Sequence, residues 1–299
     1  MPPEVQREGF IRKAIRLLLR RRFRCGVVIA LALNAATILA GDAPSSGESR
    51  CRSTAVVSVP SRPTVSNGTD TTQCGVVEIE YGLERQWPGG GALQDDLAGG
   101  FRLGLLPNLD LHWASAAFLH VKDDASDRTG FGDSQLAVKY RLLAQRKLWP
   151  SVGTYYQAKA PTANRGLGVG SGKWDYALSL LLSKDVRFVH LDFNVSPAWV
   201  GREGDRGFDR NFAFALSGSA PIGHGFGIVA EGYGASSLNA ATPAFSSTML
   251  GLTYQASPRC VLDAGLDVGV TAGAPRKRAY VGATYAIGNA YRWWRSQRD

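Results

Sequence analysis

The chain has 299 residues, 44% of them hydrophobic, which excludes a low-hydrophobicity disordered chain. Its 35 glycines, many set inside apolar alternating runs, argue against a helical protein, since each costs roughly 1 kcal/mol against Ala in a helix. The formal net charge of +9 would suggest a nucleic-acid partner if it were spread over a folded domain, but residues 1–40 hold eight basic side chains against two acidic ones and so carry +6 of it.

Residues 1–43 read as an export signal. A basic stretch ends at Arg24, and the apolar run "CGVVIALALNAATILA" follows over residues 25–40. That run is short of the ~20 residues a spanning helix needs and is interrupted by Asn34. Cleavage after Ala40 or Ala43 fits, and a retained anchor is the alternative reading. Residues 44–73, rich in Ser, Thr and Pro and without a period, read as a disordered lead-in. Cys51 and Cys74 bracket most of it, and an oxidising compartment would let them join, leaving Cys260 alone.

From Cys74 to Gly288 the texture changes to apolar-alternating segments of about ten residues, each closed by a turn signal. Strands are expected over 75–87, 94–106, 108–121, 132–144, 150–161, 173–184, 187–200, 210–221, 225–237, 245–256, 260–272 and 277–288. Tight links such as "PN", "KDV", "GHG" and "SPR", with "QRKLW" read among them, alternate with longer polar ones such as "PGGGALQ" and "KDDASDRTGFG". An up-and-down meander with short turns at one end predicts that alternation; a Greek-key sandwich does not.

The faces decide between a soluble and a membrane barrel. Leu136, Val138, Tyr140 and Leu142 oppose Lys139 and Arg141; Leu178, Leu180 and Leu182 oppose Ser179 and Ser183; Leu262, Leu266 and Val268 oppose Asp263 and Asp267. Trp87, Trp113, Trp149, Trp174 and Trp199 fall mostly near strand ends, where amphipathic rings sit between water and hydrocarbon. A bilayer also forbids an open sheet edge. The fold class is therefore all-β: a transmembrane antiparallel up-and-down barrel of about twelve strands over residues 74–288, with a periplasmic tail over 289–299.

Several phrases carry a family resemblance. "RPTVSNGTDTTQCGVVEIEYGLER", "TGFGDSQLAVKYRLL", "VGTYYQAKAPTA" and "LDFNVSPAWVG" resemble the MetA-pathway of phenol degradation family of bacterial outer-membrane proteins, over most of residues 60–288. The Gly-Phe-Gly-Asp before a strand ending in Lys-Tyr-Arg is the most specific part. The resemblance implies a β-barrel moving small, often aromatic or hydrophobic, molecules. Tyr280, Gly282, Tyr285 and Ile287 resemble the signal by which the barrel-assembly machinery reads a last strand, although the chain continues past it with "GNAYRWWRSQRD".

No catalytic, cofactor or metal site is expected. "GLGVGSGKW" lacks the first glycine and the hydroxyl of a phosphate loop. His112 near Asp110 and His190 near Asp192 would serve as bases only with a nucleophile within ~3 Å. Asp123, Asp124 and Asp127 read as a solvated loop rather than a calcium site. What remains is the lumen. Alternation puts Glu78, Glu80, Arg102, His112, Lys139, Arg141, Lys159, Asp175, Asp192, Asp263 and Asp267 on or near its wall. The expectation is an outer-membrane channel for passive passage of small organic molecules, with lipid, solute and assembly machinery as partners and both termini in the periplasm. A structural or surface-binding barrel and a barrel hydrolase are the alternatives.

Overall fold

The computed structural model describes residues 51, 53, 55–164, 172–202 and 204–295. The export-signal segment and residues 165–171 of the glycine-rich loop lie outside the described residues. Among the described residues there are thirteen strands: β1 (Val76–Gly89), β2 (Ala92–Leu106), β3 (Leu109–Lys122), β4 (Asp127–Gly130), β5 (Ser134–Leu143), β6 (Ser151–Ala160), β7 (Asp175–Val186), β8 (Val189–Gly201), β9 (Phe208–Gly223), β10 (Phe226–Ala235), β11 (Phe245–Ser257), β12 (Cys260–Gly269) and β13 (Lys277–Asn289). A short helix α1 (Ala290–Arg295) follows, its first turn capped by the Asn289 side chain accepting from the N–H groups of Tyr291 and Arg292.

The strands pair antiparallel, and β1 closes on β13, so the sheet is a closed barrel; the short β4 has its ladder with β3. It has twelve staves, because β4 and β5 are one stave in two pieces. β3 pairs with β5 through residues 109–115 and with β4 through residues 119–122. Each of the twelve expected segments coincides with one stave.

Three local readings differ. "PGGGALQ" is not a long loop: β1 and β2 run on to a two-residue hairpin at Gly90 and Gly91, whose φ of 60° and 79° such a turn requires. "QRKLW" is part of a seven-residue connection between β5 and β6. The loop read before the fourth strand contains β4.

Alternation fixes the two surfaces. Leu136, Leu180, Leu216, Leu250, Leu266 and Val281 are exposed on the outside, while Lys139, Ser179, Ser217, Glu231, Asp263 and Asp267 are buried on the inside. That is the reverse of a soluble barrel and the arrangement hydrocarbon demands of a spanning one. A bulge where β3 passes from Ala116 to Phe118 against β2 shifts the parity and brings Leu119 to the buried side.

Candidate functional site

The inner wall is dense with charge, and most of it is paired. Arg102 reaches Glu78 at 2.7 Å and Glu80 at 3.1 Å. Lys159 is held between Asp133 at 2.7 Å and Asp175 at 2.8 Å. Arg278 spans Glu84 at 3.2 Å and Asp267, which also accepts from Tyr233 Oη at 3.0 Å. His112 Nε2 faces Asp110 at 2.9 Å, and His190 lies between Asp185 at 2.6 Å and Asp192 at 3.2 Å. Glu78, Arg102, His112, Lys139, Asp263 and Asp267 are buried; Glu80, Arg141, Lys159, Asp175 and Asp192 are partly so.

Much of this wall is occupied by the lead-in. Residues 55–73 form no helix or strand, in keeping with their lack of period, but the segment does not trail free as a disordered one would. It runs round the inside of the barrel at the end bearing the tight turns. Val59 N–H donates to Glu78 and Ser61 N–H to Glu80 on β1. Arg62 binds Asp263 on β12 at 3.2 Å. The N–H groups of Val65 and Ser66 donate to the Glu231 carboxylate on β10 at 2.8 and 2.6 Å. Ser66 Oγ reaches Ser217 on β9, Asn67 exchanges two hydrogen bonds with Asn194 on β8, and Thr69 bonds Ser183 on β7 and Ser151 on β6. Asp70 takes Lys139 and Arg141 of β5, and Thr72 N–H donates to Asp110 on β3. Backbone donors without secondary structure must find acceptors somewhere, and here the wall's side chains supply them.

The wall is also cut away to receive it. Gly82 and Gly282 are register partners on β1 and β13, and the Arg62 side chain lies across both; a Cβ on either would fall 2.3 or 2.4 Å from it. At Gly104 a Cβ would meet the Gln73 carbonyl at 2.2 Å. The ends of the circuit are tied to each other. Gln73 bonds Ala55 O and Val57 N–H with one side-chain amide, and Cys51 and Cys74 form a disulfide, while Cys260 stays free. Within the circuit a cavity of about 660 Å³ reaches from residues 58–64 to Gly68, Asp70, Lys139, His190 and Asp192 on the other side.

The sequence matches the family model described as "Putative MetA-pathway of phenol degradation" over residues 60–287, which takes in both the barrel and most of the circling segment. The chain belongs to this family. Among curated proteins none matches the sequence. Among solved structures, the COG4313 outer membrane channel from Pseudomonas putida F1 superposes with a TM-score of 0.60 at 13% identity, covering 75% of this chain and all of that one. The NanC porin gives 0.49 at 14% identity over 70% of this chain and 98% of that one, and the KdgM porin 0.48 at 12% over 70% and 99%. At 13% identity the likeness to the COG4313 channel is one of fold.

The signature that this phenol-degradation family member shows most clearly, Thr-Gly-Phe-Gly-Asp, now has a physical reading. It is the break between β4 and β5. Phe131 N–H donates to Asn164 Oδ1 at 2.6 Å, and Gly130 leaves the room Asn164 needs. Gly132 lies against Ala116, 2.7 Å from where its own Cβ would be. Asp133 then turns inward to hold Lys159 and to accept from Ala163 N–H.

His112 and His190 lie against carboxylates, and His112 also against a phenol. His112 has Asp110 on one nitrogen and Tyr155 Oη at 3.4 Å on the other. Asp123, in the β3–β4 turn, is held below the usual carboxylate range by Ala125 N–H and Ser126. Among the described residues no group of three or more His, Cys, Asp or Glu is placed to hold a metal ion. The sequence reading named the wall residues without their partner; Glu231, Asn194, Ser183 and Ser217, which carry the lead-in, were not singled out as its anchors.

Proposed function

We propose that this protein is an outer-membrane channel for passive passage of small organic molecules, aromatic or hydrophobic ones included. The observation that carries the reading is a cavity, lined by both polar and apolar groups, within a closed, outwardly apolar barrel. An oily exterior anchors the barrel in lipid, and a wall of paired charges keeps its middle wet, so a solute crosses without a covalent step. Glu78, Glu80, Arg102, His112, Lys139, Arg141, Lys159, Asp175, Asp192, Asp263 and Asp267 line or brace that path. The fold it shares with a bacterial outer-membrane channel, and a family whose description concerns phenol degradation, support this reading.

The even stave number leaves both ends of the barrel chain on the tight-turn side, which we assign to the periplasm. Tyr285 and Ile287, exposed on β13, are then presented to the assembly machinery. The test is flux. Purified protein in liposomes is expected to speed entry of phenol-sized and short aliphatic solutes and to give discrete conductance steps in planar bilayers. Tight, folded insertion without any flux would refute the channel.

A further inference from the structure

We infer that the circling lead-in, residues 58–73, is the size-selecting constriction of the channel and that the Cys51–Cys74 disulfide closes it into a covalent hoop. The inference rests on the passage reading above and adds the element that sets which solutes pass.

Three observations carry it. First, the order of contacts is a complete circuit: β1, then β12 and β13 through Arg62, β11 through Pro63 against Gly251, then β10, β9, β8, β7, β6, β5, β3 and, at Cys74 beside Gly104, β2. A plug would cross the lumen; this segment follows its wall. Second, the wall is shaped for it, with glycines where the segment lies closest and Ser, Asn or acid where it needs acceptors. Third, the two ends of the circuit are joined by a covalent bond and by the Gln73 amide.

Size follows from geometry. Twelve staves about 4.8 Å apart and tilted ~40° make a barrel about 24 Å across between backbones. Inward side chains of roughly 5 Å on each side would leave a passage of about 14 Å. Sixteen residues at no more than ~3.4 Å each make a hoop of at most about 17 Å, and its own thickness narrows the opening to about 8 Å. That admits a single aromatic ring or a short chain and turns back oligomers. The cross-section differs about threefold between the two cases.

The experiment compares three forms in planar bilayers and in liposomes loaded with polyethylene glycols of graded size. One is the wild type. One lacks residues 58–73. In the third, C25S/C51S/C74S/C260S removes all four native cysteines and S66C/S217C replaces a pair whose hydroxyls are 2.8 Å apart, so that oxidation pins the hoop to β9. Heat-modifiable gel mobility checks folding in each. The deletion is expected to conduct about threefold more and to pass larger polymers. The third form should match the wild type when oxidised and show raised, fluctuating conductance when reduced. Should the deletion not fold, the third form decides alone. A folded deletion with wild-type conductance and cut-off, or a reduced third form indistinguishable from its oxidised state, overturns the proposal. If no form conducts while S66C and S217C cross-link readily, the segment is seated but the passage reading fails, and the sizing role with it.

Discussion

Adding one methyl group to the wall at Gly282 tests whether the lead-in is held as described. Its Cβ would lie 2.4 Å from Arg62 Nε, so the guanidinium must leave the slot. Asp263, whose side chain is 2% exposed, then loses its partner, while Arg62, at 20%, can turn toward water. Two unit charges 3.2 Å apart attract by about 5 kcal/mol at an effective dielectric near 20. Orphaning one member of a fully buried pair costs about 3–5 kcal/mol, and the partial exposure of Arg62 brings the expected loss below that range, to about 2–3 kcal/mol. Gly282→Ala and Arg62→Ala should each cost that much. In an Arg62→Ala background the new methyl meets no guanidinium, so Gly282→Ala should add less than about 0.5 kcal/mol. Urea unfolding of the vesicle-inserted barrel, followed by tryptophan fluorescence, gives all four free energies. Equal cost of Gly282→Ala in both backgrounds would place the strain in the sheet and refute the slot.

Leu180 is exposed on the lipid side of β7, so Leu180→Arg should destabilise the inserted barrel by about 2–4 kcal/mol, whereas Ser179→Asn, at the preceding, inward-facing position, should cost under about 1 kcal/mol in the same unfolding assay. Lys159→Met leaves Asp133 and Asp175 facing a shared gap on the lumen wall; reversal potentials in a salt gradient should move toward cation selectivity, and an unmoved potential would place the pair off the ion path. Reducing the Cys51–Cys74 bond, which spans 23 residues, should lower stability by about 2–4 kcal/mol between oxidised and reduced urea curves.

The staves were legible because a period of two is a strong local signal and because lipid asks only that the outward positions be oily. Lys139 and Arg141 between Leu136, Val138 and Leu142 could point nowhere but inward. Parity counting fails where the chain bulges, as at Ala116 to Phe118, because one extra residue exchanges the faces beyond it. The lead-in was not legible as structure. Several of its bonds run from backbone N–H groups to side chains more than a hundred residues away, as from Ser66 to Glu231, and such pairings impose no period on either partner. Two traces of it were nonetheless present: inward-facing positions such as Gly82 and Gly282 carry no side chain, and the similarity to the family begins inside the segment rather than at the first strand.

Arg62 has a consequence for assembly. β1 and β13 are the first and last strands, so the junction between them is the one the chain can complete only after all the others are in hand. The guanidinium lies across that junction, over Gly82 on one strand and Gly282 on the other, and is anchored to Asp263 one strand further on. Once the seam is shut, it is latched from within. A barrel whose lead-in lay elsewhere would lack that fastening across its last junction.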